Sequence, residues 1–363
     1  MKKILIIGNL NSIHTIKWAN FFSKSYEISI VSSEQIKDNN VINKNIKTYI
    51  FNKFSNKIFN TIYIFFLILI KNKVPKNQDI VHIHYLGING LFSFLFNSKI
   101  ISTAWGSDIK VNKSNVIKKF FLKKILDRSH FITTDSFEIK DEIVRNFNIS
   151  TKIVKVINFG IDTNFFLKKD YNIEIANKYR LNRDELTIVS LRNHEKIYNI
   201  ETLIKAISIV SKKIKLNCLI FGDGPETKKY KDLSKKLKLH DKIIFCGRYE
   251  QKKLPEILSV SDLLVSTSLS DGGIAASTAE AMSCNVVPII TNNSDNKKWI
   301  DNELNGFLFE NGDYNQLANI ILNIFRYNIG VIGKAAKDKI FKYNDYINEM
   351  NKVDLLYKEV IKN

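Results

Sequence analysis

Ser270-Asp271-Gly272-Gly273-Ile274-Ala275-Ala276-Ser277-Thr278-Ala279-Glu280-Ala281-Met282-Ser283-Cys284 separates two apolar runs, Leu263-Leu264-Val265 and Val286–Ile290, that read as buried strands. Two glycines open the stretch, and Ala, Ser and Thr fill most of the rest. A Gly-Gly turn entering a helix of small residues leaves backbone N–H groups bare at the helix start, where an anion can sit. Glu280 lies eight residues past Gly272, roughly 12 Å along a helix at about 1.5 Å per residue. That is the span from a diphosphate to a ribose. A tightly packed helix with an exposed Glu has the same pattern, and the rest of the chain decides between the two.

Working outward, the same strand-then-helix rhythm fills the chain. Ile4–Ile7, Ile28–Val31, Ile80–Ile83, Ile100–Thr103, Phe131–Thr133 and Ile153–Ile157 read as strands, with amphipathic segments such as His14–Lys24 and Val116–Leu126 between them. The rhythm restarts after Arg180 with Leu186–Leu191, Leu216–Phe221, Lys242–Cys246, Leu263–Thr267 and Val286–Ile290, and with helices near Ile200–Lys212, Glu226–Leu237 and Leu254–Leu258. Alternation of this kind predicts parallel, doubly wound α/β sheets with right-handed crossovers. Two Rossmann-like halves are expected, with Phe166–Asn182 as connector and a helical tail over Asp338–Ile361. Ligands of such sheets bind past the carboxyl ends of the strands.

A length of 363 residues suits two domains, and 45% hydrophobic with 25% charged residues describes a globular protein. The net charge of +19 is uneven: residues 1–170 hold 26 Lys and Arg against 12 Asp and Glu, leaving 29 against 24 in the remainder. A basic N-terminal half fits an acidic partner: nucleic acid, an anionic membrane surface or a phosphorylated substrate. Cys218, Cys246 and Cys284 are odd in number and far apart, which argues for reduced core thiols and against a zinc or disulfide framework. The longest apolar run, Ile62–Ile70, is about half of a membrane span. No signal-peptide pattern opens the chain. A cytoplasmic protein is expected.

The loops after the strands carry the candidate chemistry. Asn9-Leu10-Asn11-Ser12-Ile13-His14 lacks the G-x-G-x-x-G fingerprint, which argues against an NAD or FAD enzyme. His14, just inside a helix start, either contacts substrate or completes the cap. His82 and His84 alternate on one strand face, but no carboxylate or third His lies near in sequence to complete a metal site. In Ala104-Trp105-Gly106-Ser107-Asp108 the Gly permits a turn, and Asp108 can cap it or bind a substrate hydroxyl. Asn112–Leu126 places Val116, Ile117, Phe120 and Phe121 beside Lys118, Lys119, Lys123 and Lys124. That pattern is shared by an interfacial helix drawn to anionic lipid and a surface helix with a wide apolar stripe. Further on, Leu186–Leu191 empties into Arg192-Asn193-His194-Glu195-Lys196, where Arg192 can chelate two phosphate oxygens and Lys196 adds a point charge. Gly222-Asp223-Gly224-Pro225 follows another strand as a Gly-rich turn.

Taken in order, Asn158-Phe159-Gly160-Ile161-Asp162-Thr163, Arg192 with Lys196, Gly222-Asp223-Gly224-Pro225, Ser261-Asp262 and Glu280-Ala281-Met282 resemble the large retaining glycosyltransferase family four, of GT-B architecture. Ser12–Trp18 and Ala104–Asp108 resemble a bacterial branch that builds surface polysaccharides such as capsule, O-antigen or exopolysaccharide. The resemblance implies two Rossmann-like domains facing a cleft: an acceptor-binding one over 1–165, a linker at 166–182, and a nucleotide-sugar-binding one over 183–337. A C-terminal helix, 338–363, would cross back to the first. By position, Arg192, Lys196 and Asp271 would be catalytic. Gly222, Gly224, Arg248, Tyr249, Gly272, Gly273, Ile274 and Glu280 would hold a UDP- or GDP-linked sugar, Glu280 by the ribose. Asn11, His14, Trp105 and Asp108 would meet the acceptor. No metal is required, because the cations take its place. Attack would be front-face, with the departing phosphate helping to deprotonate the acceptor. The family usually has Glu, seven residues, then Glu; here Gly272 stands first, and Asp271 can serve after a slip of one residue. Trp105 stands where many members have a His.

The expected activity is therefore retaining, metal-independent transfer of a hexosyl or N-acetylhexosaminyl group to a lipid-linked or polysaccharide acceptor. The site would be the inner membrane face, touched through Asn112–Leu126. A GT-B sugar-nucleotide epimerase and a basic nucleic-acid-binding protein are the alternatives. Against the latter stands the want of zinc, helix-turn-helix or RNA-stacking motifs, so no nucleic-acid partner is expected.

Overall fold

A computed structural model describes residues 1–36, 41–110 and 116–362. The chain divides into two compact units, one of residues 1–159 together with those from 347 onward, the other Gly160–Tyr346.

The first unit is built on seven parallel strands: β1 Lys3–Ile7, β2 Glu27–Ser32, β3 Lys47–Ile50, β4 Ile80–His84, β5 Lys99–Ala104, β6 Phe131–Thr134 and β7 Val154–Val156. Their order is β3-β2-β1-β4-β5-β6-β7, every pair parallel. The order reverses between β1 and β4, where the following loops diverge and open a crevice. The central strands are Ile- and Val-rich because both faces are covered. On one face Ile64, Ile68, Phe92 and Leu126 pack on Val81 and Ile83. On the other, His82 and His84 lie beside Trp18, with ring centroids 5.4 and 5.1 Å away. Edge strand β3 is half exposed and carries no apolar run, so the sequence reading passes over it.

Helix Ile13–Phe22 begins at Ser12, whose hydroxyl accepts the Thr15 amide. Helix Val116–Asp127 buries Leu122, Ile125 and Leu126 and turns Val116, Ile117, Phe120 and Phe121 outward. The expected interfacial segment began at Asn112; 112–115 lie outside the described residues. Helix Lys57–Leu69 likewise exposes Phe59, Ile62, Phe66 and Leu69.

The second unit has six parallel strands: β8 Leu186–Ser190, β9 Leu216–Phe221, β10 Ile243–Gly247, β11 Leu263–Ser266, β12 Val287–Thr291 and β13 Phe307–Phe309, in the order β10-β9-β8-β11-β12-β13. Its reversal falls between β8 and β11. Three-residue β13 at the edge is too short to announce itself in sequence.

Unit boundaries differ from the expected ones. The chain leaves the first unit after Phe159, and the expected linker 166–182 belongs to the second: Phe166 joins its core, and Ile173–Lys178 is a helix. The tail is not one helix from 338. Ile329–Tyr343 ends at Asn344, and Tyr346–Lys362 follows. The break is held from the side: the Asn344 side chain accepts the Gly160 amide at 3.2 Å, and Thr163 donates to Asp345 at 2.6 Å. A Cβ on Gly160, at φ +75°, would come within 2.5 Å of the Tyr346 Cα, so only glycine fits. From residue 347 the helix rejoins the first unit. There Glu349 accepts the Asn158 amide at 2.8 Å, Asp354 accepts the Tyr26 hydroxyl, and Tyr357 lies 2.6 Å from His82 Nδ1.

Candidate active site

Two clusters of chemical side chains form, one at the sheet reversal of each unit. In the second unit, the loop after β8 is clasped to the loop after β9. The His194 amide donates to the Asp223 carbonyl at 3.1 Å, and the Glu226 amide donates to the His194 carbonyl at 2.9 Å. Gly222 and Gly224 make this possible, since Cβ atoms there would lie 2.3 Å from the Arg192 carbonyl oxygen and 2.6 Å from that of His194. These two glycines, expected at a donor ligand, thus fix the backbone that carries Arg192. Buried His194 lies 2.8 Å from the Thr227 hydroxyl, and burial lowers its pKa.

The Arg192 guanidinium bonds the Asp271 carboxylate and sits 4.2 Å from the centre of the Tyr198 ring. The side chains of Arg192 and Asp271 are 14% and 2% exposed, so water screens the pair little. Arg192 Nε is buried without a hydrogen-bond partner. Two residues expected to be catalytic, 79 positions apart, are therefore joined. The third, Lys196, opens a 3-10 helix, is exposed, and makes no ion pair among the described residues.

The stretch after β11 departs from the expected helix. Gly272 takes φ +77° with open space where a Cβ would stand, Gly273 is buried, and Ile274 packs into the core instead of facing a ligand. The helix itself is Ala276–Ser283, and no side chain caps its first amides. Glu280 is therefore four residues into the helix, about 6 Å along it, and not the 12 Å of an unbroken helix from Gly272. Glu280 is buried and accepts from Gln251 Nε2 at 2.5 Å. Tyr249, edge-on to Phe221, has its phenol pushed up by burial and by the charge of Glu280, while Arg192 opposes the shift. Tyr249 thus stays a protonated donor within the fields of both Arg192 and Glu280. Arg248 is exposed beside Asp223. Arginine, an uncapped helix start and a buried carboxylate together suit a phosphorylated ligand with hydroxyls.

In the first unit the loops after β1, β2, β4 and β5 enclose a cavity of about 670 Å³. One wall is aromatic: Phe159 stacks on His14 at 3.9 Å and on Trp105 at 4.8 Å. His84 lines it too, its Nδ1 3.2 Å from the Thr15 hydroxyl and its Nε2 buried without a partner. Burial, with Lys17 adding to it, lowers the His14 pKa to about 4. Burial, with His14 adding to it, lowers that of His84 to about 3. Both rings are neutral at pH 7.

Two expected acceptor contacts are not at this cavity. Asp108 is 1% exposed, and its oxygens accept the Leu86 and Trp105 amides at 2.7 and 3.0 Å, so it braces the loop that presents Trp105. Burial raises its pKa to about 6. Asn11 instead holds a lining residue, donating to Glu34 at 2.6 Å. His82 is taken up by Tyr357 and Thr103. Glu34, Tyr198 and Gln251 were not singled out by sequence, and Phe159 entered only as a member of the Asn158–Thr163 motif. Glu34 follows β2 and Gln251 follows β10, and the rule that ligands gather past strand ends would have drawn attention to both.

Two Rossmann-like units in one chain, each with reactive side chains at its sheet reversal, define the GT-B class. A glycosyltransferase of Rickettsia africae shares the fold with TM-score 0.78 at 20% identity, over 100% of this chain and 99% of that one. So does the Anabaena protein HepE in complex with UDP-glucose, with TM-score 0.77 at 14% identity over 99% and 100%. A family model described as "Glycosyl transferases group 1" matches residues 172–337, and one described as "Glycosyl transferase 4-like" matches residues 3–136. The chain belongs to the group 1 glycosyl transferases and is a glycosyltransferase. The N-acetyl-alpha-D-glucosaminyl L-malate synthase of Bacillus anthracis is 24% identical over 296 residues, 79% of this chain and 76% of that protein.

Proposed function

We propose that this enzyme is a retaining, metal-independent transferase that moves a hexosyl or N-acetylhexosaminyl group from a UDP- or GDP-linked donor to a lipid-linked or polysaccharide acceptor of a cell-surface glycan. One observation carries the donor reading: Arg192, held by Asp271 and Tyr198, acts on Tyr249 together with Glu280, which stands on a helix whose start has no side-chain cap. In this reading Arg192 binds the diphosphate and stabilises charge as the nucleotide departs. Lys196 swings in from solvent to add a second cation, and the two offset the charge that a metal would otherwise meet. The amides of the Ala276 helix meet phosphate, Glu280 accepts from the ribose hydroxyls, and Asp271 contacts the transferred sugar. A relative whose name gives N-acetylglucosaminyl transfer and a fold neighbour crystallised with UDP-glucose support a UDP-sugar first.

Contact with an anionic membrane is part of the proposal. Val116, Ile117, Phe120 and Phe121 are 82, 69, 58 and 48% exposed, beside Lys118 and Lys119. Helices Val116–Asp127 and Lys57–Leu69 both pack against the 3-10 helix Asn89–Leu95, whose Phe94 is also exposed. Two helices with exposed apolar residues thus neighbour the same short helix, beyond the single helix expected from sequence. No helix among the described residues is long and apolar enough to cross a membrane.

Calorimetric titration with UDP, GDP and a short DNA duplex tests the donor reading. One nucleotide should bind, and Glu280→Ala should weaken it by about 1–3 kcal/mol, the loss of a charged hydrogen-bond partner. Salt-sensitive DNA binding without nucleotide binding would overturn it.

A further inference from the structure

We propose that the cavity of the first unit selects an uncharged sugar ring as acceptor and refuses carboxylate and phosphate acceptors, with Glu34 as the residue that enforces the choice. The inference rests on reading the first unit as the acceptor-binding one.

The cavity, about 670 Å³, is of a size that holds a small ligand. Its charge is the informative part. The surrounding half of the chain is strongly basic, yet none of the described residues lining the cavity is Lys or Arg. The groups that might have supplied positive charge do not: His14 and His84 are both held neutral by burial. Among the described lining residues the one charged group is Glu34, fixed by Asn11 at 2.6 Å, with its own amide bonded to Ser32 Oγ at 3.0 Å. An anionic acceptor would give up its hydration, meet no Lys or Arg among the described lining residues and face a carboxylate.

A neutral pyranose finds what it needs. Asn9, Ser12, Asn52 and Asn89 offer amide and hydroxyl groups for its ring substituents, and Glu34 accepts from its hydroxyls. The wall of His14, Phe159 and Trp105 offers apolar surface to the C–H face of the ring. His84 supplies a further signal: it is 1% exposed, lines the cavity, and keeps Nε2 buried without a partner. A polar atom left unpaired in a buried wall is a group for a ligand hydroxyl to satisfy. The dicarboxylate named for the Bacillus anthracis relative is the kind of acceptor this lining excludes.

The test uses the full chain saturated with the nucleotide found by calorimetry, and follows tryptophan fluorescence. Neutral p-nitrophenyl hexosides, p-nitrophenyl N-acetylhexosaminides, L-malate and glucuronate are titrated as probes. The proposal expects neutral glycosides to bind at least tenfold tighter than either anion. Glu34→Lys should reverse the ratio by gaining malate affinity, and Glu34→Gln should narrow it, both at unchanged nucleotide affinity. Malate or glucuronate binding as tight as the glycosides, or no glycoside binding, overturns the proposal, as does a selectivity that Glu34→Lys leaves in place. Nucleotide affinity reports separately on the second unit, so its loss would count against the transferase reading and not against this choice of acceptor.

Discussion

Replacing Asp271 with Asn should make the protein less stable and its nucleotide tighter at once. Asn keeps the size of Asp and an oxygen for the Arg192 guanidinium, and Tyr198 still lies under the cation at 4.2 Å; what is lost is one negative charge. An ion pair becomes a hydrogen bond from a cation to a neutral amide, a loss of about 1–2 kcal/mol. Arg192, 14% exposed, recovers part of that from water. In a unit of this size each kcal/mol lowers the melting temperature by about 2–4 °C, so a fall of about 2–6 °C is expected. The nucleotide responds in the opposite sense. A diphosphate on Arg192 stands about 6 Å from the Asp271 carboxylate, and two unit charges at that range repel by about 3 kcal/mol at an effective dielectric near 20. Since Arg192 already offsets part of that field, a gain of about 1–2 kcal/mol is expected, a five- to thirtyfold tighter Kd for UDP. Sugar transfer should slow in the same variant, because the proposed contact to the sugar is gone. Thermal melting, calorimetry and a turnover assay give the three numbers. A folded variant with UDP affinity unchanged or weaker would refute the placing of the diphosphate at Arg192.

Gly222→Ala should cost about 2–4 kcal/mol through strain at φ +111° and the clash with the Arg192 carbonyl. Gly272→Ala, at φ +77° with open space around it, should cost only about 1–2 kcal/mol, and chemical denaturation separates the two. Replacing Lys118, Lys119, Lys123 and Lys124 with Gln should weaken binding to anionic vesicles in a sedimentation assay and leave UDP affinity intact. Little stability is at risk, since the Lys123–Asp127 pair is an exposed one. His14 and His84 have depressed folded pKa values, about 4 and about 3, against about 6.5 when unfolded. The unfolded chain therefore takes up protons that the folded one refuses. The stability they contribute is full above about pH 6.5 and is lost as pH falls toward their folded values. Melting temperature should drop between pH 6.5 and 5, less steeply than the two histidines alone would give because folded Asp108 takes up a proton near pH 6, and His84→Gln should flatten that drop.

The central strands were legible because burial on both faces demands Ile and Val in unbroken runs. Lys47–Ile50 and Phe307–Phe309 lack that demand at their sheet edges and left no run to read. Arg192 was legible as a cation directly after a strand. Its partner in Asp271 was not, since β8 and β11 become neighbours only when the sheet forms. Small residues after Gly272 looked like one helix, and local pattern could not reveal that Ile274 turns into the core before the helix begins. Asp108 was legible only as an alternative. Its carboxylate past a strand end was read both as a cap and as a ligand contact, and only the folded loop, with two backbone amides on its oxygens, chooses the cap.

The helix that carries Glu349, Asp354 and Tyr357 has a consequence for how the chain is made. Residues 1–159 leave the ribosome first, yet Glu349 and Tyr357, both fully buried in that unit, follow only after all of Gly160–Tyr346. His82 waits for its Tyr357 partner while the second unit folds to completion. A nascent chain stopped near residue 346 would therefore carry all of the second unit and an open first unit. Synthesis order, and not distance along the sheet, makes the first unit the last to close.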